Sequence, residues 1–442
     1  MRKKALHKLI CFLFPVLIFL GMPILSALSV ERAEEGFYAD HPILENMISK
    51  AVLRNPELRR GIARYRASLQ KIPQVRSLPD PMVSFTQYLR SPETRVGPQS
   101  NITMLSQKFP WFGKLDLSGR IAASEASALY QEYLAKERNL AAQLKDSFYE
   151  LSYVDRVREI LEEEYQLLDH YERLSQVRYA QGRGLQLSVI KIQAEITRLQ
   201  DREKLLHRQR VSLVSRLNTL MDYPPGQEIP LITDVRIPEV SLDIEQLNAL
   251  GEDNRRELRA SLDRIEKSEQ AIELAKKAYW PDFTLSAGMA NVEGREDLAG
   301  MLVPPPDNGK NAFSVTVGIN IPLWRDKYRS GVIEAAENRV AEQLSYSLVR
   351  NEMEFSISDL ASRLQTLEEQ LDLYDSVLMA QAEEVLKSAE AAYEEGQGGV
   401  LDLLDSERFL LNTRLVAERY RADYMKALAE LERSVGTRFP DL

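Results

Sequence analysis

Asp402 and Asp405 stand three residues apart, just after the glycine-rich stretch Gly396-Gln397-Gly398-Gly399. Residues at that spacing share one helix face, so the two carboxylates can cap a helix N-terminus and offset its dipole, or together attract a cation. Other residues with chemical potential are few. His41, His170 and His207 are scattered without metal-ligand spacing. Glu162-Glu163-Glu164 reads as a solvated helix face, and the dispersed methionines read as packing residues. The sequence holds no nucleophile–base arrangement and no phosphate-cradling glycine loop. An enzyme is therefore not expected, and neither a cofactor nor a bound metal.

The elements that position the aspartates follow from composition and pattern. The 442 residues carry a formal net charge of −9, 28% charged side chains, 20 glycines and 20 prolines, a balance that suits long helices. An acidic chain without a basic block makes a poor nucleic-acid binder. Residues 1–29 have the form of a cleaved export signal: Arg2, Lys3, Lys4 and Lys8, then the apolar run Leu9–Leu20, then Ala27-Leu28-Ser29. Cleavage would leave a chain of net charge −13 without its single cysteine, Cys11, and hence without disulfides.

The rest is written twice. Glu57-Leu58 recurs as Glu257-Leu258, Pro81 as Pro281, Gln107-Lys108-Phe109-Pro110 as Ile319-Asn320-Ile321-Pro322, and Tyr179-Ala180-Gln181-Gly182 as Tyr393-Glu394-Glu395-Gly396. Echoes in the same order at a slowly growing offset mark a duplication. The first copy spans 30–222 and the second 243–442, with a proline-rich linker over 223–242. Each copy reads as a helix of about 38 residues (41–78; 243–279), two strands (about 81–90 and 100–109; about 281–292 and 312–321), a very long helix (114–180; 327–395), a glycine turn, and a last helix (185–222; 400–436). The fold class is mainly α with a small β part. A 67-residue helix spans ~100 Å, which two half-length helices laid end to end would match. The row Leu360, Leu364, Leu367, Leu371, Tyr374 and Leu378 is its packing stripe.

In 313–321 large apolar residues alternate strictly with small or polar ones, and 281–289 does the same; 101–109 is the weakest of the four segments. Such strands of nine or ten residues suit a membrane-spanning barrel, or the half-buried sheet of a water-soluble domain. Trp111, Trp280 and Trp324, with Phe109, Phe112 and Tyr279, gather at helix–strand junctions as an interfacial aromatic girdle does, which favours the barrel. Four strands cannot close a barrel, and open edges are not tolerated in lipid. Three copies would give twelve strands and leave a lumen, whereas the interior of an eight-stranded barrel fills. A homotrimer in outer-membrane lipid is the expectation. The competing structural reading is an exported coiled-coil envelope tether without transport activity.

Asn55-Pro56-Glu57-Leu58, Pro79-Asp80-Pro81, Gln107-Lys108-Phe109-Pro110-Trp111-Phe112-Gly113-Lys114, and Tyr393-x-x-Gly396 followed by Leu401-Asp402-Leu403-Leu404-Asp405 resemble the TolC-type outer-membrane efflux proteins over nearly the whole mature chain. The Phe-Pro-Trp-Phe-Gly-Lys run is similar to the heavy-metal cation branch. The resemblance implies a trimeric outer-membrane barrel continued by a periplasmic α-helical barrel, and coupling to an inner-membrane efflux pump through a periplasmic adaptor protein. It implies that Asp402 and Asp405 ring the pore constriction, where six like charges would attract cations and repel anions. It also implies that the tip turns holding Gly182, Arg183, Gly184, Tyr393, Gly396, Gly398 and Gly399 meet the adaptor. One departure stands out. The best-known members lock the tip with an arginine and an aspartate at positions that are Gly398 and Ser188 here. Tyr393 remains, so weaker contacts or Arg183 are expected to hold the closed state.

Overall fold

The structure, a computed structural model, describes residues 41–438 except 234, 239 and 241. The export signal expected over residues 1–29 lies outside the described residues. Among the described residues no helix is long and apolar enough to cross a membrane.

The chain opens with α1 (Pro42–Arg54) and α2 (Pro56–Arg76). The single helix expected over 41–78 is thus two, because Pro56 lacks an N–H and forces the residue before it out of helical geometry. Asn55 makes use of the break. Its Oδ1 accepts from the N–H groups of Glu57 at 2.8 Å and Leu58 at 3.3 Å, capping α2. Its Nδ2 donates to the Leu220 carbonyl at 2.9 Å, tying the break to the end of another helix. Asn55→Ala is expected to lower stability by about 1–2 kcal/mol, read by denaturant unfolding. The second copy breaks at the equivalent place without a proline: α5 (Ile244–Asn254) and α6 (Arg256–Lys277) meet at Arg255, which is extended at ψ 117°. There Arg138 donates to the freed Asn254 carbonyl at 2.7 Å.

Between these helices run β1 (Met82–Gln87), β2 (Gln99–Phe109), the 67-residue α3 (Lys114–Ala180) and α4 (Gln186–Leu220). The second copy continues with β3 (Phe283–Val292), a short α7 (Leu298–Leu302), β4 (Ala312–Ile319), α8 (Arg325–Leu373), α9 (Met379–Glu394) and α10 (Val400–Val435). α8 and α9 form one long helix interrupted by a wide π turn, Tyr374–Leu378, where the sequence pattern predicts a uniform helix. The turn shifts the packing face. Leu360, Leu364, Leu367 and Leu371 are buried, Tyr374 and Leu378 only half-buried, and burial resumes at Ala382 and Leu386. Two contacts from α10 hold the turn: Arg421 Nη2 reaches both Asp375 carboxylate oxygens at 2.7 Å, and the Tyr420 ring meets Tyr374 edge-on at 5.3 Å.

The core is drawn out along α3. Towards its C-terminal end Leu168, Tyr171, Ile192, Leu386, Tyr393, Leu403 and Leu404 pack together, joining α3, α4, α9 and α10. Val154, Val157, Ile160, Leu206 and Leu415 continue the same seam.

The four strands form one antiparallel sheet in the order β1-β2-β3-β4. The β2–β3 pair joins the two repeats, and β1 and β4 are left as unpaired edges. β2, the weakest segment by alternation, is the longest strand and is hydrogen-bonded on both sides.

Candidate functional site

Pairing register turns the alternation of each strand into two contrasting faces. Val83, Leu105, Ala287 and Val315 lie opposite one another across the sheet, as do Phe109, Phe283 and Ile319. The same face carries Phe85, Leu285, Met289, Phe313 and Val317, and on β4 these side chains stand free: Phe313 is 79% exposed and Val315 76%. The opposite face holds Ser84, Thr86, Ser106, Thr284, Ser286, Gly288, Ser314, Thr316 and Gly318, interrupted on β1 and β2 by Met82, Ile102 and Met104. At its centre the Ser106 and Ser286 hydroxyls share a 2.8 Å hydrogen bond. A sheet mostly greasy on one side and mostly small and polar on the other, with β2 the mixed strand, suits lipid outside and water inside.

At the helix end of the sheet, Trp111 stacks on Trp280 with centroids 5.0 Å apart, and on Phe283 at 5.6 Å, with Phe112 edge-on at 5.8 Å. Tyr279 pairs instead with Tyr328 at 5.5 Å. Trp324 stands exposed beyond β4, and Phe109 is partly covered at the end of β2. Of the six aromatics expected to act together, three therefore form one cluster. Asp282, which sequence reasoning missed, organises it. Its Oδ1 accepts from the Trp111 N–H at 2.9 Å and Lys114 Nζ at 2.7 Å, and Oδ2 pairs with Lys108 Nζ at 3.2 Å. The only hint in the sequence is that it follows Pro281, at the start of a strand.

At the far end of the long helices the two turns are built alike. Gly182 at φ +69° and Gly396 at φ +75° take left-handed conformations that favour glycine. Gly184 and Gly398 pass so close to the preceding helix that a Cβ on either would lie 3.1 Å from the Cβ of Arg178 or Ala392. Asp402 and Asp405 both lie exposed on α10. Asp402 Oδ2 accepts from the Gly399 N–H at 3.2 Å, and Asp405 pairs with Arg408 at 3.1 Å. Within one chain Asp402 is thus a helix cap.

Tyr393 is buried, at 5% exposure, and its hydroxyl bonds with Ser175. Arg178, near the end of α3, lies over its ring at 4.7 Å and donates to the Tyr393 and Glu394 carbonyls that end α9. Arg183 is exposed, and its backbone N–H donates to the Arg178 carbonyl at 2.9 Å. Arg178 thus ties the end of α3 to the end of α9. Sequence reasoning passed over it because it sits inside a helix, not in the turn.

The profile of the outer membrane efflux protein family matches residues 47–221 and 250–437, one stretch in each repeat. The chain belongs to that family. The efflux protein is an outer-membrane channel with a periplasmic helical extension, and is not an enzyme. Members of the family act as trimeric channels in tripartite pumps. Among solved structures, the efflux protein is similar to VceC of Vibrio cholerae, at 20% identity and a TM-score of 0.72, over 90% of this chain and 96% of that one. It is also similar to CusC, at 16% identity and 0.72, over 91% and 93%. The open state of MtrE from Neisseria gonorrhoeae matches at 18% identity and 0.69, over 91% and 90%. No curated protein sequence matches the chain.

Proposed function

We propose that three copies of the efflux protein close their sheets into one twelve-stranded barrel, continued by a helical tube, as a passive conduit for cations. The observation that carries the assembly is the pair of unpaired edges, β1 and β4, on a sheet with one mostly apolar face. Backbone groups on such edges must find partners in lipid, and sister copies supply them. A second uncovered row, Ile333, Val340, Leu344, Leu348 and Phe355, follows one face of α8 and offers the helical part of the same contact.

Threefold symmetry about the α10 starts would gather Asp402 and Asp405 from each copy into a ring of six carboxylates. Such a ring attracts cations, so metal cations or cationic drugs are the cargo it favours. The alike turns around Gly182 and Gly396 form the surface offered to a periplasmic adaptor, and an inner-membrane pump supplies the energy. Planar-bilayer recording tests this reading. The wild type is expected to show cation-preferring conductance, and Asp402→Asn with Asp405→Asn to lower that preference by about threefold or more at low salt. A detergent-soluble monomer without conductance would favour the tether.

A further inference from the structure

Glu164 belongs to the acidic run that reads as a solvated face, yet in the fold it turns inward. It is half-buried on α3 and meets Glu407 of α10, which is only 1% exposed. Neither carboxylate oxygen of Glu407 has a hydrogen-bond donor. The cations nearby are committed elsewhere: Arg414 to Glu163 at 3.3 Å, and Arg408 to Glu195 of α4 and to Asp405. The Tyr171 hydroxyl of α3 donates to Glu390 of α9. The groups facing the pair are thus Glu390, Glu195, Tyr171 and Arg414, mostly acidic or neutral. Two carboxylates in contact under cover, with no donor between them, cannot both be ionised without a large penalty. A single shared proton supplies the missing donor.

We propose that Glu164 and Glu407 hold one proton between them, and that its loss loosens α10 from α3 and opens the tip. Burial raises the pKa of both groups, and repulsion from Glu164 and Glu390 raises Glu407 further, while the attraction of Arg414 only partly offsets this. The sign follows directly. An acid that holds its proton more tightly in the closed fold makes that fold bind more protons than the opened one. Closure is therefore favoured at lower pH and weakens as pH rises through neutrality. The lever is short, because Glu407 sits about 10 Å along α10 from its start, and Asp402 and Asp405 lie on the turns between.

Only the last step, opening, rests on the channel reading, so two measurements on the full-length protein separate the parts. Infrared difference spectra are expected to show a protonated-carboxyl carbonyl band at neutral pH that fades at alkaline pH. Glu407→Gln should move its fading to lower pH, since the Gln amide donates to Glu164 and repulsion is gone; Glu164→Gln should do the same for Glu407, whose burial remains. A band whose fading stays at the wild-type pH in both variants, or no band in the wild type, overturns the shared proton whatever the conductance. In bilayers, wild-type leak conductance should rise about fivefold or more from mildly acid to mildly alkaline pH. Glu407→Gln should stay low and flat, and Glu162→Gln, an exposed neighbour outside the pair, should keep the rise. A titrating band with pH-independent conductance overturns the coupling. A titrating band without conductance at any pH would sink the channel reading and leave the proton site standing.

Discussion

Arg178→Ala is expected to raise the leak conductance of the closed channel about tenfold, whereas Arg183→Ala leaves it unchanged. The guanidinium makes charge-assisted hydrogen bonds to the Tyr393 and Glu394 carbonyls and covers the Tyr393 ring. Those carbonyls are the negative end of the α9 dipole, where a cation is best placed. Each charge-assisted bond contributes about 1.5–3 kcal/mol and the ring contact roughly 0.5–1 kcal/mol. Losing even part of that from the closed state alone shifts the open population by an order of magnitude. Tyr393→Phe, which removes only the bond to Ser175, should have a smaller effect in the same direction. Single-channel recording in planar bilayers at fixed pH and salt checks all three. An Arg178→Ala channel that stays as tightly shut as the wild type would return the latch to other contacts.

The largest expected effect belongs to the sheet. Val315→Arg should abolish trimer assembly in the outer membrane, while Thr316→Arg, one residue on, should assemble normally. Val315 stands mid-strand on the apolar face, opposite Ala287, and Thr316 lies on the face of Ser106 and Ser286. An arginine at the lipid-facing midplane costs about 2–4 kcal/mol per copy, and three copies carry it at once. On the water-filled side the same charge stays hydrated. Outer-membrane fractionation with heat-modifiable gel mobility distinguishes the two. Equal assembly of both variants would mean that the sheet is wet on both sides.

Much of this architecture is written in local pattern. The length of α3, the four strands and the two glycine turns follow from periodicity, from the absence of proline in the long helices, and from positions where only glycine takes a positive φ comfortably. These are properties of near neighbours, so a linear reading reaches them. The two-faced sheet also follows, because a strand has period two and register can only keep or flip it whole.

What escaped the linear reading depends on which elements meet. Asn55 marks a helix break legible from Pro56, but Arg255 breaks its helix with no such marker, and Arg138, 116 residues away, takes the freed carbonyl. Arg178, Asp282 and Glu407 look in sequence like ordinary helix or strand-end charges. They become a tie between helix ends, a junction hub and a buried acid only when α3 lies against α9 and α10, and β2 beside β3. A side chain's chemistry is set by its dielectric surroundings and by the partner within about 3 Å of it. Pattern along the chain determined the parts and their faces; tertiary contact alone decided which charges are satisfied, which are buried, and so which ones can switch.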